Sequence, residues 1–315
     1  MPTPESCSSK QMNRSLTILG CGSAIPTVKN NPSGQILQLG EKLFLIDCGE
    51  GVQITLRRMM LHTSRLYSVF ISHLHGDHCF GLLGLISTWS MMNRTQDLHI
   101  YAHKDLERLM RPLLDYHCSD CPFQIIFHPI DPRKRDVIFR DRTVQVTTIP
   151  LRHSVPTCGF LFEEIQKEPH IVKERIEQYN IPFSAIPAIK AGGDWVTLDG
   201  HTVPNSELTM PPEKPFRYAY CSDTGYKPAI VPQIQGVDVL FHESTYLNEH
   251  ADAARRFQHS TAEQAAKIAA KAGVGKLIIG HFSARVTDQS LFLTEAKAVF
   301  PNVELAEDRK VFDFN

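Results

Sequence analysis

The stretch YSVFISHLHGDHCFG, residues 67–81, carries the strongest signal in the sequence, because an apolar run ends in His73, His75, Asp77 and His78. Two histidines two positions apart at the end of a strand point to the same side, and they can hold one metal ion through imidazole nitrogens. The glycine between the two pairs lets the backbone turn, so that Asp77 and His78 face a second ion. The motif therefore predicts one short loop that supplies ligands to two metal ions.

Further candidate ligands follow later apolar strands, and they are His153, Asp223 and His281. Each comes after one predicted strand, namely VQVTTIPLR, FRYAYCS and KLIIG. Ligands on different strand ends can converge on one edge of a sandwich. Imidazole nitrogens dominate the set and a carboxylate can bridge two ions, so we expect zinc, while manganese or iron stays open.

The rest of the chain alternates short apolar runs with helical periods. Runs rich in β-branched and aromatic residues, each ended by Gly or Pro, predict strands in both halves of the chain. Helical periods follow some of these strands. The helix predicted at 261–272 has a capping box of Ser260 with Glu263, and Gly273 lies just past its end. This arrangement predicts an α/β (α+β) fold in which two mixed sheets pack face to face under outer helices.

The expected domain organisation is one large domain with an insertion. Residues 1–13 are polar and aperiodic, which predicts a disordered tail, and residues 14–315 form the domain. The stretch 163–217 is rich in proline and has nine acidic against six basic residues, and only 165–180 looks helical. We interpret it as a protruding arm rather than as core sheet.

Composition excludes some classes of protein. The net charge of the 315 residues is -1, so any binding of nucleic acid must be local. No apolar run is long enough to span a membrane. The eight cysteines are scattered and the amino terminus has no apolar core of a signal peptide, which predicts a cytoplasmic protein. Cys118 and Cys121 lack a second pair, so a chance spacing is favoured over a metal site.

The ligand pattern resembles the metallo-β-lactamase superfamily, which includes lactamases, thioesterases and nucleases. Five further segments, in the same order and spacing, resemble the ribonuclease Z family, and the similarity covers about residues 15–313. The resemblance implies a metallo-β-lactamase αββα sandwich with an arm insertion. The five segments are LGCGSAIPT (19–27), DCGEGVQ (47–53), FHESTY (241–246), HSTAEQAAKIAAKAG (259–273) and HFSAR (281–285).

The resemblance also implies the activity and its residues. It implies a zinc-dependent endoribonuclease that removes the 3′ trailer from precursor tRNA, leaving a tRNA 3′-hydroxyl and a 5′-phosphorylated trailer. It implies a homodimer with no DNA or membrane partner. Two zinc ions per chain would be held by His73, His75 and His153, by Asp77, His78 and His281, and by Asp223 as the bridge. Asp77 would also accept a proton, and His259, oriented by Glu243, would be a second catalytic group.

Elementary chemistry agrees with these roles. Two cations lower the pKa of a shared water and stabilise both oxygens of an in-line displacement at phosphorus. A histidine beside a carboxylate, such as His259 with Glu243, can give a proton to the leaving oxygen. The alternative is that His259 merely precedes a capped helix. Asp47 either accepts a hydrogen bond from a ligand histidine or is a polar strand end.

Parts of the sequence differ from the family pattern. The arm reads NIPFSAIPAIKAGGD (180–194), without a Gly-Pro motif and with few lysines, and the first loop (24–34) lacks a basic pattern. Counterion release requires clustered positive charge. Two ways of binding RNA therefore stay open. Either the arm holds RNA by shape and backbone amides, or basic residues elsewhere bind it. The alternative for those basic residues is that they form only a solvated face. The basic candidates are Arg57, Arg58, Arg133, Lys134 and Arg135.

Two other functions remain open at this point. A small-molecule phosphodiesterase or esterase of the same fold would use the same metal site, and only precursor tRNA as substrate discriminates. A non-catalytic RNA-binding module would be expected to have lost a ligand, and none of the seven candidates is missing.

Overall fold

Two seven-stranded sheets form the framework of the chain. The computed structural model describes residues 13–61 and 63–314, so all but the last residue of the predicted tail (1–13), together with His62 and Asn315, lie outside the described part. The first sheet has the strand order β18-β1-β2-β3-β4-β5-β6. Its strands are β1 (Arg14–Gly20), β2 (Gly34–Leu39), β3 (Lys42–Cys48), β4 (Leu66–Phe70), β5 (Leu98–His103), β6 (Ile125–Ile130) and β18 (Val311–Asp313).

The second sheet comes mostly from the later half of the chain. Its order is β17-β16-β15-β14-β9-β8-β7, and β14 to β17 run parallel to one another. Parallel strands end at the same edge, so this order collects the residues that follow β14, β15 and β16. The strands are β7 (Val137–Arg140), β8 (Val144–Pro150), β9 (Cys158–Glu164), β14 (Arg217–Cys221), β15 (Val239–Glu243), β16 (Lys276–Gly280) and β17 (Val303–Leu305).

Aromatic side chains from both sheets fill the space between them. Phe44 and Phe70 of the first sheet meet Phe162 of the second with ring centroids 5.5 and 5.3 Å apart. Phe160 lies 5.5 Å from Phe70 at a steep interplanar angle of 61°. Tilted and edge-on pairs at these separations add to the free energy gained by burying the rings. The interface between the sheets is therefore the central core.

Helices cover the outer faces of both sheets. Side chains of α1, α3 and α4 join those of the first sheet in one buried apolar cluster. Helices α9 and α10 pack on the second sheet. The predicted four-layer α/β sandwich is thus confirmed. The helices are α1 (Val52–Arg58), α2 (Gly76–Cys79), α3 (Gly81–Met91), α4 (Asp105–His117), α5 (Lys173–Gln178), α6 (Ile186–Lys190), α7 (Asn205–Leu208), α8 (Ala251–Phe257), α9 (Ala262–Ala272) and α10 (Ser290–Lys297).

Helix α9 begins one residue later than the sequence predicts. Its capping box joins Thr261 to Gln264, since the Thr261 hydroxyl accepts from the Gln264 N–H and the Gln264 side chain accepts from the Thr261 N–H. The predicted box of Ser260 with Glu263 is wrong, because the Ser260 hydroxyl donates to the carbonyl of Thr224 at 2.6 Å. Gly273 ends the helix in the left-handed conformation, as predicted.

Residues 140–145 and 163–216 form a second compact unit. Its small apolar core consists of Ile181, Ile189, Val203 and Leu208. Two short hairpin-like pairs belong to this unit, β10 (His170–Ile171) with β13 (Thr209–Met210) and β11 (Trp195–Val196) with β12 (Thr202–Val203). The helix predicted over 165–180 is limited to α5, since β10 occupies part of that stretch.

The described residues also bear on the state of the cysteines and on the membrane prediction. Every cysteine within residues 13–61 and 63–314 is a free thiol. In that part of the chain, none of the helices has the length and apolar character needed to cross a bilayer.

Candidate metal centre

The loop after β4 brings the first four predicted ligands to one edge of the sandwich. His73 and His75 lie in the extended segment between β4 and α2, and Asp77 and His78 occupy the first turn of α2. His75 keeps an extended backbone, with φ -68° and ψ 149°, directly before the turn of α2. The change from strand to helix directs the two pairs to adjacent positions, as the spacing predicts.

Four ligand atoms surround one position. Nε2 of His73 lies 3.1 Å from Nδ1 of His75, which lies 3.2 Å from Nε2 of His153. Oδ2 of Asp223 lies 3.5 Å from His73 Nε2 and 3.6 Å from His153 Nε2. The structure thus unites four residues that come from three separate parts of the chain.

A second position lies beside the first. Nε2 of His78 is 3.5 Å from Oδ2 of Asp77 and 3.3 Å from Oδ1 of Asp223. Nε2 of His281 is 3.5 Å from the same Asp77 oxygen and 3.1 Å from the same Asp223 oxygen. Asp223 therefore presents one carboxylate oxygen to each position, which is the arrangement expected of a bridging ligand.

These separations fit tetrahedral metal ions. An ion with bonds of ~2.0 to 2.1 Å holds tetrahedral ligands ~3.3 Å apart. The eight distances above fall between 3.1 and 3.6 Å. Many imidazole nitrogens and carboxylate oxygens approach one another here, with few hydrogen bonds among them. This pattern is typical of a metal-binding site.

Hydrogen bonds on the far side of the rings set the histidine tautomers. Nδ1 of His78 donates to the Asp47 carboxylate at 2.7 Å, and Nδ1 of His153 donates to the carbonyl of Gln258 at 3.2 Å. Nδ1 of His281 contacts the Thr245 hydroxyl at 2.9 Å, and that hydroxyl donates to Glu243. Nδ1 of each of these rings is thereby occupied, so Nε2 is the nitrogen that each ring can offer to a metal ion.

Two of these nitrogens have no hydrogen bond although they are fully buried. They are Nε2 of His78 and Nε2 of His281. A buried polar atom without a partner costs free energy, so native proteins rarely keep one without a reason. Metal coordination satisfies both atoms, and the residues present therefore fit the group that the fold implies.

Asp47 supports the centre through hydrogen bonds to residues that carry or contact the ligands. Its carboxylate accepts from the backbone N–H and the hydroxyl of Ser72, from Nδ1 of His78 and from the hydroxyl of Tyr220, at 2.6 to 2.9 Å. The Ser72 hydroxyl in turn lies 3.0 Å from Nδ1 of His73. One buried carboxylate thus orients a ligand of each position, which settles Asp47 as a hydrogen-bond acceptor for a predicted ligand.

Backbone strain is concentrated at the same edge. Asp47, Asp223 and His281 adopt φ values of 57°, 51° and 62°. This left-handed region is costly for residues other than glycine and persists where surrounding contacts impose it. Here it turns the side chains of Asp223 and His281 inward just after β14 and β16 end.

His259 lies next to the second position and is paired with Glu243. Nδ1 of His259 donates to Oε1 of Glu243 at 2.8 Å, and the ring of His281 is 5.6 Å away and nearly parallel. Glu243 is fully buried and also accepts from the backbone N–H groups of Thr224 and Thr245 and from the Thr245 hydroxyl. The carboxylate is held by four hydrogen bonds, so the orientation of His259 is well determined.

Charge interactions set the protonation of this pair. Burial alone would lower the pKa of His259, but the Glu243 carboxylate outweighs burial and raises this pKa to about 9. Burial alone would raise the pKa of Glu243, and the facing His259 lowers it. His259 is therefore a proton donor held beside the centre at neutral pH. It can also approach Asp223 and His281 as a metal ligand would, but each position already has four donors.

Asp77 is held as a carboxylate. Burial would raise the pKa of Asp77, yet His78 and His281 outweigh burial and keep it well below its usual range. The N–H of Ala24, from the first predicted motif, donates to Oδ2 of Asp77 at 2.8 Å. Asp77 is thus ionised at neutral pH.

A cavity of about 420 Å³ lies over the centre. Predicted ligands form its floor, and Tyr246, Phe257 and Arg285 are among the residues of its walls. Phe257 is half exposed. Tyr246 and Phe257 thus offer flat aromatic surfaces, on which bases can stack, beside the two positions that metal ions would occupy.

Sequence reasoning missed several supporting residues. Ser72, Thr245, Tyr220 and Ala24 were not assigned roles, although Ala24 and Thr245 lie within segments that resemble family motifs. Conversely, the described part of the chain does not place Cys118 and Cys121 in any group of three or more potential metal ligands.

The fold and the paired His/Asp groups define the class: a metal-binding protein of the metallo-β-lactamase superfamily. A family model described as "Beta-lactamase superfamily domain" matches residues 168–282, and one described as "Anti-Pycsar protein Apyc1" matches residues 14–171. Among solved structures, human tRNase Z, short form, has a TM-score of 0.69 at 23% identity and covers 95% of this chain and 98% of that one. YhfI from Bacillus subtilis has a TM-score of 0.66 at 20% identity, with 96% and 100% covered. Identities this low support the fold alone.

Much closer relatives identify the family. Ribonuclease Z from Bacteroides fragilis is 50% identical over 93% of this chain and 96% of its own length. Ribonuclease Z from Bacteroides thetaiotaomicron is 51% identical over 95% of both chains. The chain belongs to the ribonuclease Z family, as its motifs predict.

Proposed function

We propose that the protein is a zinc-dependent endoribonuclease that removes the 3′ trailer from precursor tRNA. The observation that carries the proposal is the pair of ligand groups sharing Asp223 beside the His259–Glu243 pair. Identity of about 50% to ribonuclease Z over nearly the whole chain supports RNA rather than a small molecule as substrate. The presence of all seven candidate ligands argues against a non-catalytic binding module.

The residues divide into ligands and proton carriers. His73, His75 and His153 would hold one ion, Asp77, His78 and His281 the other, and Asp223 both. Zinc bound there supplies a Lewis acid and lowers the pKa of water to near neutrality. Asp77, ionised and pointing at the second position, is placed to accept a proton from the attacking water. His259 holds a proton that it can donate to the leaving 3′-oxygen, and Glu243 keeps the ring in place.

Incubation of the purified protein with a 3′-extended precursor tRNA tests the function. Mapping of both product ends should show a tRNA 3′-hydroxyl and a trailer with a 5′-phosphate. Hydrolysis of bis-p-nitrophenyl phosphate without any cleavage of the RNA would instead favour a small-molecule phosphodiesterase.

The variant Asp77→Ala tests the assignment of the site. Turnover should fall by about 10² or more if Asp77 is both ligand and base. Zinc content by elemental analysis and circular dichroism show whether the fold and the metals are retained. Near-normal turnover with full metal content would refute the role of Asp77.

We further propose that the enzyme is a cytoplasmic homodimer. The free thiols of the described cysteines agree with a reducing compartment. Large apolar side chains are exposed on and just after α1 and α3, namely Ile54, Met60, Met91 and Met92. Light scattering after size-exclusion chromatography should give the mass of two chains, and a single-chain mass at micromolar concentration would contradict the dimer.

A further inference from the structure

A second cavity, which we call the Arg152 pocket, shares a wall with the metal centre. It has a volume of about 460 Å³, and His153 lines both cavities. Its lining includes the cationic side chains of Arg133, Arg152 and Lys227, and no acidic residue is among the residues that line it. A pocket with one sign of charge concentrates ligands of the opposite sign.

The cations of the Arg152 pocket are poorly neutralised by the protein. Within the described part of the chain, the Arg152 guanidinium makes neither a hydrogen bond nor an ion pair, while its backbone is fixed by Thr224 Oγ1 at 3.1 Å and by the N–H of Gly225 at 2.8 Å. Among the described residues, Lys227 Nζ donates only to the carbonyl of Pro150, at 2.9 Å. An ammonium has three donors, so Lys227 keeps capacity for an anion.

Like charges oppose each other in this pocket. The pKa of Lys227 is lowered by burial and by the nearby Arg152. An anion bound between the two cations would relieve this repulsion. The backbone of the pocket is fixed while the guanidinium is free to turn, which suits Arg152 to a phosphate oxygen.

We infer that the Arg152 pocket binds a backbone phosphate of the RNA strand, next to the phosphate that is cleaved. The inference rests on the proposed function. Arg152 directly precedes the predicted ligand His153, so an anion in the pocket and a phosphodiester over the centre can belong to one strand. The pocket supplies the local positive charge that a chain with a net charge of -1 needs in order to hold RNA.

The three basic residues at 133–135 differ in whether they line the pocket. Arg133 lines the pocket, whereas Lys134 pairs with Asp131 at 3.6 Å, and Arg135 is exposed outside it. Asp131 lies near Arg133 as well and accepts its backbone N–H at 3.1 Å, so Arg133 is partly neutralised. Arg152 and Lys227 are therefore the residues to change.

The double variant Arg152→Ala/Lys227→Ala tests the inference on the zinc-loaded enzyme. The KM for a 3′-extended precursor tRNA should rise about tenfold, because two charge-assisted contacts are lost. The slope of log KM against log salt concentration should become shallower by about one to two, since each phosphate contact releases a counterion. The control Arg108→Ala/Lys297→Ala removes the same charge from exposed positions outside the pocket and should leave both quantities unchanged.

Further measurements separate the possible outcomes. The charge-keeping variant Arg152→Lys/Lys227→Arg should restore most of the salt slope, and zinc content reports that each variant is folded. Equal KM and salt slope for the double variant, its control and the wild type would overturn the pocket and leave the proposed function standing. If the wild type does not cut the RNA, the proposed function fails, and fluorescence anisotropy of the uncut RNA then judges the pocket by the same salt slope.

Discussion

At the residue scale, the pairing of His259 with Glu243 determines a protonation state that the isolated side chain would not have. The folded-state pKa of about 9 lies above the ordinary value of 6.5. The protonated form is therefore favoured by the fold, fully so below pH ~6.5, and this contribution is lost as pH rises through about 9. A protonated His259 can give its proton to the leaving oxygen.

The pH dependence of cleavage should report this donor. We expect kcat for precursor tRNA to fall as pH rises through the pKa of His259 in the zinc-loaded enzyme, because the ring then loses its proton, and nearby cations bring this pKa below the value of about 9 that Glu243 sets in the metal-free protein. In Glu243→Gln the fall should begin at lower pH, since the carboxylate is the group that raises the pKa. Single-turnover rates between pH 6 and 10 provide the measurement, with Glu263→Gln as a control carboxylate on helix α9. Identical profiles for wild type and Glu243→Gln would exclude His259 as the donor.

Asp47 makes a different contribution, because it touches no proposed substrate position and acts through His78 and Ser72. Asp47→Asn keeps the size of the side chain but removes the charge that favours the correct His78 tautomer. Zinc affinity should fall about 10- to 100-fold, as is usual when the hydrogen-bond partner of a metal ligand is changed. Chelator competition measures it, and Tyr220→Phe, which removes one donor to the same carboxylate, should have a smaller effect. An unchanged affinity for Asp47→Asn would contradict this role.

At the element scale, helix α9 depends on its first residue. Thr261→Ala removes the hydroxyl that accepts from the Gln264 N–H and should lower the free energy of unfolding by about 0.5 to 2 kcal/mol. Thr261→Ser keeps the hydroxyl and should retain most of the stability. Urea denaturation of the zinc-loaded protein measures both, and a larger loss for Thr261→Ser than for Thr261→Ala would rule out the cap.

The same helix shows what a sequence can and cannot specify. Ser260 and Thr261 are adjacent hydroxyl residues, and each has a Glu or Gln three positions later, so the pattern alone does not choose between them. The choice is made by a contact of long range, because Ser260 is engaged by the carbonyl of Thr224. Local patterns thus predict that the helix exists and where it ends, but not which hydroxyl caps it.

Strands and ligands follow the same rule. Strands that end in a ligand were predicted from local pattern, and so were all seven donors, because four of them follow one apolar run and each of the other three follows a run of its own. The bond from Tyr220 to Asp47 joins residues 173 positions apart, and no local signal marks such a pair. The donors can therefore be found from local sequence pattern, whereas the hydrogen bonds that support them come from residues far away in the sequence.

At the scale of the whole molecule, acidic and basic residues nearly balance, so the positions of the basic residues decide where RNA can bind. The assignment of 163–217 as an arm that recognises RNA stays a prediction, and its nine acidic and six basic residues do not favour phosphate binding. Three cationic side chains instead line the Arg152 pocket next to the metal centre. We therefore expect this pocket to contribute more to RNA binding than the acidic arm does.

Zinc binding by the whole protein should be coupled to proton release. Burial would lower the pKa of His78, but Asp223, Asp47 and Asp77 outweigh burial and raise it well above its ordinary value. At neutral pH the metal-free protein therefore carries a proton on His78 that zinc must displace, and zinc affinity should rise with pH up to that pKa. Calorimetric titration of zinc into the chelator-treated protein, in buffers of different ionisation enthalpy, should show about one proton or more released per chain at pH 7. The number should fall in Asp47→Asn, because one of the three carboxylates that hold this proton is then neutral. Zinc binding with no proton released at pH 7 would mean that His78 is already neutral and that the carboxylates do not control its charge.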